Sequence, residues 1–96
     1  MKKFVFLAVG FEKPTPPIIE AWMKWFASLQ SHVVDGGNPF GPGMEITTAG
    51  VAKLAHDKDA ITGYTIVQAE NMDEALKLAE GCPIITALRV YEAMQM

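Results

Sequence analysis

Residues 4–9 read Phe-Val-Phe-Leu-Ala-Val, and this unbroken apolar stretch, closed by Gly10, decides the fold. A strand with one face in water would alternate apolar and polar residues along its length. Here neither face of the strand carries a polar side chain. The stretch therefore predicts a central β-strand that is covered on both faces.

A helix with a wide apolar face follows this strand. Thr15 is a predicted N-cap and Pro16 the first helical residue. Apolar residues then recur at spacings of three and four, which is the helical period. They are Ile18, Ile19, Trp22, Met23, Trp25, Phe26 and Leu29. We expect the helix to end near residues 31–32.

The middle of the chain contains an irregular segment and further strands. Turn-forming residues dominate 35–43. Residues 44–48 and 51–55 are predicted to form a β-hairpin that turns at Ala49 and Gly50. Residues 62–69 form a strong strand pattern, which alternates two faces.

A second helix and a last strand complete the pattern. Asn71 and Glu74 have the spacing of a capping box, in which each side chain bonds the other residue's backbone N–H. Gly81 ends the helix and Pro83 prevents its resumption. The expected buried side of the helix is Ala75, Leu76, Leu78 and Ala79. Residues 88–94 are the last strand.

The order of elements predicts the fold class. Strands before, between and after two helices indicate an α+β, ferredoxin-like βαββαβ sandwich, with the hairpin able to add one strand. We expect one domain over residues 1–96. Right-handed crossovers place both helices on one face of the sheet. The other face then needs a cover, and we predict a homodimer that packs through its sheet faces.

Composition excludes several classes of protein. The 96 residues are 50% hydrophobic, and Lys+Arg 8 against Asp+Glu 11 leaves a net charge of −3. Without a basic stretch, the chain is not expected to bind nucleic acid. No apolar run approaches the roughly 20 residues of a membrane span. The apolar stretch after Met1 is too short for a secretory signal, and a single cysteine, Cys82, allows no internal disulfide, so we expect a cytoplasmic location.

The polar residues give no sign of a metal or cofactor. His32, His56 and Cys82 lack the spacing of metal ligands. The glycine-rich segments do not lie between a strand and a helix, as a phosphate-binding loop does. We expect His56 and Asp57 to form a solvated turn, and Cys82 to act as a small packed apolar residue.

Three stretches resemble a known family. They are Trp-Met-Lys-Trp-Phe at 22–26 with Val-Val-Asp-Gly-Gly-Asn-Pro at 33–39, Thr-Gly-Tyr-Thr-Ile-Val at 62–67, and Asn-Met-Asp-Glu-Ala-Leu at 71–76 with Gly-Cys-Pro at 81–83. Together they resemble the YCII-related family, also called the DGPF family, of the dimeric α+β barrel superfamily. The resemblance covers nearly the whole chain and implies the fold and the dimer predicted above.

The chain departs from this family in two places that concern function. The Asp-Gly-Pro-Phe signature is absent, and residues 55–60 read Ala-His-Asp-Lys-Asp-Ala. Family members with a proposed His–Asp acid/base pair have their histidine early in the first helix. Here no histidine precedes His32, so the resemblance assigns no catalytic histidine.

The candidate catalytic residues are His32 and Asp35, three apart where the first helix ends. A carboxylate that orients an imidazole could transfer a proton near neutral pH. The alternative is structural, because a histidine is favourable at a helix C-terminus and an aspartate commonly begins a turn.

The candidate ligand-binding residues are Trp22, Trp25, Asn38 and Tyr64. Tryptophan and tyrosine combine a large apolar surface with one polar group, which suits the wall of a pocket. The alternative is ordinary core packing, which is what we expect of Phe26.

Two functions stay open at this point. The first is a small organic ligand bound between the first helix and the sheet, with cofactor-free proton transfer in an isomerisation or elimination; lactone isomerases of the same superfamily support it as an analogy of fold. The second is a non-catalytic dimeric binding or interaction module. A purely structural dimer would be favoured over both if there were no pocket between the helix and the sheet. An enzyme would need His32 and Asp35 within hydrogen-bond reach at a concave pocket.

Overall fold

All of residues 1–96 are described in a computed structural model, which contains six strands and two helices. In chain order the elements are β1 (Lys2–Val9), α1 (Pro16–Ser28), β2 (Val33–Asp35), β3 (Met44–Thr47), β4 (Gly50–Lys53), β5 (Ile61–Ala69), α2 (Met72–Leu78) and β6 (Ala87–Ala93). No helix among them is long and apolar enough to cross a membrane.

The main sheet has four antiparallel strands in the order β2-β5-β1-β6. Strand β1 lies between β5 and β6, as its apolar sequence predicts. With α1 linking β1 to β2 and α2 linking β5 to β6, this is the ferredoxin-like α+β arrangement. The predicted fold class is confirmed.

The strand that completes this sheet is not the one the sequence indicated. The hairpin forms, but β3 and β4 make a separate two-stranded sheet. Strand β2 takes the fourth place in the main sheet instead. It has three residues and runs into Gly36 and Gly37, so its own sequence has too little pattern to mark a strand.

The core lies on the face of the sheet that both helices cover. Its buried residues are Phe4, Phe6, Trp25, Leu29, Val67, Ala69 and Ala75. They come from β1, β5 and both helices, so the expectation that the two helices share one face is correct. Phe4, Val67 and Ala75 have no exposed surface.

Helix α1 ends earlier than predicted and turns a different aromatic residue inward. It ends at Ser28, and residues 29–32 form a turn in which the His32 N–H donates to the Leu29 carbonyl at 2.7 Å. The aromatic residues of α1 also differ from the prediction. Trp25 has 3% of its surface exposed, whereas Phe26 has 37% exposed. The expectation that Phe26 belongs to the core is therefore wrong. One residue is about 100° around a helix, so Phe26 turns toward the edge of the helix face when Trp25 and Leu29 point inward.

Helix α2 has its predicted N-cap. The Asn71 side chain accepts the Glu74 N–H at 2.9 Å. The Glu74 carboxylate reaches back to the N–H of Glu70, at 3.3 Å, one residue before the partner that a capping box predicts. Ala75 is buried as expected, whereas Leu76 is 49% exposed and is not part of the core.

The opposite face of the main sheet is covered by no helix. We call it the open face; it presents side chains of β1, β5 and β6. They are Val5, Leu7, Tyr64, Ile66, Arg89 and Tyr91, paired across the strands. The molecule is correspondingly thin, with extents of 41 × 40 × 18 Å.

Candidate functional site

A carboxylate and a phenol meet on the open face at the edge of the sheet. The Tyr64 hydroxyl donates a hydrogen bond to Oδ2 of Asp35 at 3.2 Å, and the Gly37 N–H donates to Oδ1 at 2.8 Å. Asp35 pairs with Ile66 in the register of β2 and β5, which puts its side chain on the open face. Both oxygens of this carboxylate are therefore held in place, Oδ1 by a backbone N–H group and Oδ2 by the Tyr64 hydroxyl.

The loop after β2 holds Asp35 in this position. At Gly37 the backbone φ is +75°, and a Cβ there would lie 1.6 Å from the Tyr64 carbonyl oxygen. Only glycine allows the chain to cross β5 so closely. The crossing is fixed by the Thr65 hydroxyl, which donates to the Gly36 carbonyl at 3.3 Å, and by a β-bridge between Pro39 and Gly63.

The same loop places a second aromatic ring beside the pair. The ring of Phe40 stacks on that of Tyr64, with centroids 5.6 Å apart and planes at 21°. Phe40 also lines an open cleft of about 870 Å³ at this end of the sheet. The other walls of the cleft come from the loop 39–43, from residues between 54 and 61, and from Arg89. Its volume suits a small organic molecule.

Arg89 lies in the same cross-strand row as Tyr64. Leu7 of β1 pairs with Tyr64 on one side and with Arg89 on the other. Directly paired residues of antiparallel strands point to the same face. The ion pairs of the chain join Lys2 to Glu92 and His32 to Glu74, so Arg89 pairs with no carboxylate.

The structure does not bring His32 and Asp35 together. His32 Nδ1 is hydrogen-bonded to the Ser31 hydroxyl at 3.1 Å, and its Nε2 lies 4.0 Å from Oε1 of Glu74 on α2. Asp35 bonds Tyr64 instead, on the open face. The predicted hydrogen-bonded His–Asp pair is therefore not formed, because the two residues lie on opposite faces of the sheet.

Trp25 and Trp22 lie on the helix side. The Trp25 indole N–H donates to the Leu78 carbonyl at 3.0 Å, and its ring stacks on Phe6 with centroids 5.9 Å apart. This is the position of a core residue. Trp22 is half-buried and lines, with Cys82, a cavity of about 20 Å³. Such a cavity holds about one water molecule, so it has no room for the organic ligand predicted between helix and sheet.

Asn38 is exposed in the loop after β2, next to the bridge from Pro39 to Gly63. Of the predicted ligand-binding residues, Tyr64 alone shares a site with Asp35. Phe40 and Arg89 were not among the residues predicted from the sequence. Arg89 is the only arginine of the chain and lies among apolar residues of β6. A lone charged residue in an apolar strand was the one sequence feature that could have indicated a functional role.

Of the remaining titratable groups, His56 lines the cleft and its ring lies 4.1 Å from that of Phe11, centroid to centroid. Burial raises the pKa of the Cys82 thiol from 9.0 to about 12, so this thiol is protonated and unreactive at neutral pH. No group of three or more His, Cys, Asp and Glu side chains has the arrangement of a metal site.

Comparison with known proteins gives a likeness of fold. No protein-family model matches the chain, and no curated protein matches it. Among solved structures it is similar to 5-chloro-2-hydroxyhydroquinone dehydrochlorinase from Burkholderia phenoliruptrix AC1100, in complex with 2,5-dihydroxybenzoquinone. The TM-score is 0.55 at 19% identity, over 98% of this chain and 95% of that chain.

At this identity the likeness shows the fold. It agrees with the ferredoxin-like α+β topology described above. Membership of the YCII-related family stays a prediction from the sequence.

Proposed function

We propose that the protein binds a small hydroxylated ring compound in the cleft on its open face and transfers a proton on it without a cofactor. The observation that carries this proposal is the 3.2 Å hydrogen bond between Tyr64 and Asp35, beside a cleft of about 870 Å³. The structurally similar dehydrochlorinase acts on a chlorinated hydroxyhydroquinone and was solved with a dihydroxybenzoquinone. The quinone bound in that structure supports the choice of hydroxylated ring compounds as the ligand class for this protein.

Asp35 is the proposed base. The Gly37 N–H holds Oδ1, so Oδ2 keeps a fixed direction toward the Tyr64 hydroxyl. A positioned carboxylate can take a proton from a ring carbon or a ring hydroxyl. In an elimination, the electron pair of the broken C–H bond forms a new double bond, and the leaving group departs with its own bonding pair. In an isomerisation the proton returns at another carbon.

Tyr64 and Phe40 are the proposed positioning groups. A phenol can donate to an oxygen of the ligand as negative charge develops there. The exposed face of the Phe40 ring, stacked on Tyr64, offers a flat apolar surface to a planar ring. His32 has no part in this proposal, because it lies on the other side of the sheet.

A second copy of the chain is the proposed cover of the open face. Val5 and Ile66, next to the row of Leu7, form an apolar centre that is only half-buried in one chain. Two sheets that face each other would remove this surface from water, which is favourable by roughly 25 cal/mol per Å². The cover would also exclude water from the cleft and strengthen the electrostatic effect of Asp35 on a bound ligand.

The test uses 2,5-dihydroxybenzoquinone, whose ring C–H groups report proton transfer. A deuteron from the solvent adds to a ring carbon and gives a keto tautomer, and Asp35 then removes the original proton from that sp3 carbon, so that its C–H electron pair re-forms the ring double bond. In D₂O we expect the wild-type protein to bind this quinone and to accelerate deuterium incorporation at the ring carbons, followed by proton NMR. Asp35→Asn should abolish the acceleration. Glu20→Gln, which removes an exposed carboxylate on α1, is the matched control and should leave it unchanged.

Two results would contradict the catalytic proposal. If the wild-type protein binds the quinone but exchange stays at the rate in buffer, the chain is a binding module. The separation of His32 from Asp35 favours this second candidate, because a carboxylate without an imidazole is a weaker base at neutral pH. If the wild-type protein does not bind the quinone, the ligand class is wrong.

A further inference from the structure

The open face has two polar groups at or next to the cleft. Arg89 lines the cleft itself, whereas Tyr64 and Asp35 lie next to it, with the Tyr64 ring against the lining residue Phe40. Leu7 lies between Tyr64 and Arg89 in the same cross-strand row. Neighbouring strands are about 4.8 Å apart, so the backbone of Arg89 lies roughly 10 Å from that of Tyr64 and roughly 14 Å from that of Asp35 on β2. A six-membered ring with oxygens at opposite ends, hydrogen-bonded at one end to the long Arg89 side chain, spans a distance of this order.

Arg89 is free to bind a ligand. No carboxylate of the chain forms an ion pair with it, and its side chain is exposed on the cleft wall. A guanidinium keeps its charge at every pH of interest and is weakly hydrated. Its planar fork of N–H donors matches an oxygen anion whose charge is spread over a conjugated system.

The other charged groups of the cleft are mostly carboxylates, so Arg89 decides whether an anionic ligand can bind there. Glu45, Asp57 and Asp59 line the part of the cleft formed by the hairpin and the segment after it. Asp57 already accepts the N–H of Asp59 at 3.0 Å. His56 also lines the cleft, but Arg89 is the permanent cation of the lining. Without Arg89 the carboxylates would repel an anion, so an anionic ligand is most stable with its charged oxygen at the arginine.

We propose that Arg89 selects the ligand by binding an ionised oxygen at the end of the ring remote from Asp35. The ligand class is then a planar ring compound with a conjugated oxygen that is an anion at neutral pH. This inference rests on the proposed function, since it names the compounds on which Asp35 would act. It also gives the electron pair of a broken C–H bond a stabilised destination, because charge that moves to that oxygen meets the guanidinium.

The test compares two quinones of the same ring size. 2,5-Dihydroxybenzoquinone is an anion at neutral pH, whereas 2,5-dimethoxybenzoquinone has no ionisable oxygen. Binding of each is measured by calorimetry on the wild-type protein and on Arg89→Met, Arg89→Gln and Arg89→Lys. Lys24→Met removes an exposed cation from α1, away from the open face, and is the matched control.

We expect Arg89→Met and Arg89→Gln to weaken binding of the dihydroxy compound roughly 10- to 100-fold, the range of a charged hydrogen bond. Binding of the dimethoxy compound should change by less than about twofold, as for a surface change away from a contact. Arg89→Lys keeps the positive charge but lacks the planar guanidinium, so its affinity for the dihydroxy compound should lie between those of the wild type and of Arg89→Met. Lys24→Met should bind both compounds as the wild type does.

Other outcomes would overturn the inference. Equal losses for both quinones would show a structural role for Arg89, and unchanged binding of the dihydroxy compound would show no role. Because Arg89 is exposed, loss of folding in both the Met and Gln variants would likewise mean that its role is structural. A wild-type protein that binds neither quinone overturns the proposed function itself. Exchange that survives Asp35→Asn contradicts only the role of Asp35.

Discussion

The hydroxyl of Tyr64 donates a hydrogen bond to Oδ2 of Asp35 at 3.2 Å, between residues 29 positions apart in the sequence. The bond joins the short edge strand β2 to the central strand β5. It lies on the open face, where water competes for both groups, so it contributes little to stability. Its geometry instead presents a directed carboxylate beside the cleft.

We therefore expect Tyr64→Phe to reduce activity far more than stability. The variant should lower the free energy of unfolding by less than about 1 kcal/mol, because the lost hydrogen bond is exposed. Deuterium incorporation into 2,5-dihydroxybenzoquinone should fall by at least roughly tenfold. Urea denaturation and proton NMR measure the two effects.

Tyr91→Phe is the control for this change. It removes a hydroxyl from the same face, but from an edge strand and from a tyrosine that is 56% exposed. Deuterium incorporation should not change in this variant. If Tyr64→Phe and Tyr91→Phe behave alike, the Tyr64 hydroxyl has no special role.

The two glycines after β2 should respond very differently to alanine. At Gly37 the backbone φ is +75° and a Cβ would lie 1.6 Å from the Tyr64 carbonyl oxygen, whereas nothing lies within 4 Å of a Cβ at Gly36. Gly37→Ala should lower the free energy of unfolding by about 2 kcal/mol or more, since both strain and a clash are introduced. Gly36→Ala should change it by less than about 0.5 kcal/mol.

The same pair of variants also tests the site. In Gly37→Ala the loop must move away from β5, so the 2.8 Å bond from the Gly37 N–H to Asp35 is lost. Binding of the quinone should weaken in this variant and persist in Gly36→Ala. Unchanged binding in Gly37→Ala would mean that the loop does not position Asp35.

Local patterns were sufficient for most of the fold. The apolar stretch of β1, the alternation of β5 and the Asn71 N-cap of α2 are each encoded by neighbouring residues, and each formed as predicted. Helix α2 ends at Leu78, before the predicted stop at Gly81. Strand β2 is different, because a three-residue strand exists only through its pairing with β5. No property of Val33 or Asp35 alone marks it.

The site was half predictable for a related reason. Alternation along β5 predicts that Tyr64 and Ile66 share a face, and they do. The same rule would put Asp35 on the face of Val33, inside the core. A register shift between Val33 and Asp35 turns Asp35 to the open face instead. Such a bulge depends on the pairing with the partner strand. The positions of Asp35 and Tyr64 in the sequence therefore could not predict that their side chains meet.

The apolar open face predicts a dimer, and a substitution that introduces one charged side chain on this face tests that prediction. Val5 lies at the centre of this face, between Ile66 and Tyr91 in the register. We expect the wild-type chain of 10.5 kDa to sediment as a dimer, and Val5→Lys to sediment as a monomer, because an unpaired cation in an apolar interface is costly. Analytical ultracentrifugation measures both.

Met23→Lys is the matched control for this experiment. It introduces the same charge at a methionine of α1 that is 67% exposed on the opposite side of the molecule. This variant should remain a dimer. A wild-type monomer, or dissociation by Met23→Lys alone, would show that the open face is not the interface.

The buried thiol of Cys82 predicts a specific loss of stability at high pH. Burial raises its pKa from 9.0 to about 12 in the folded chain. Between these values the unfolded chain loses the thiol proton while the folded chain keeps it. The unfolded state then binds fewer protons, so the free energy of unfolding must fall as the pH rises through this window. Well below pH 9.0 the thiol is protonated in both states and has no such effect.

Cys82→Ala isolates this contribution from the lysines and tyrosines that titrate in the same range. The free energy of unfolding of the wild type minus that of the variant should be constant well below pH 9.0 and decline above it. Urea denaturation at a series of pH values gives this difference directly. Reaction with a thiol reagent at neutral pH should also be slow until urea unfolds the chain. A constant difference across the window, or fast reaction of the native protein, would mean that the Cys82 thiol is open to water.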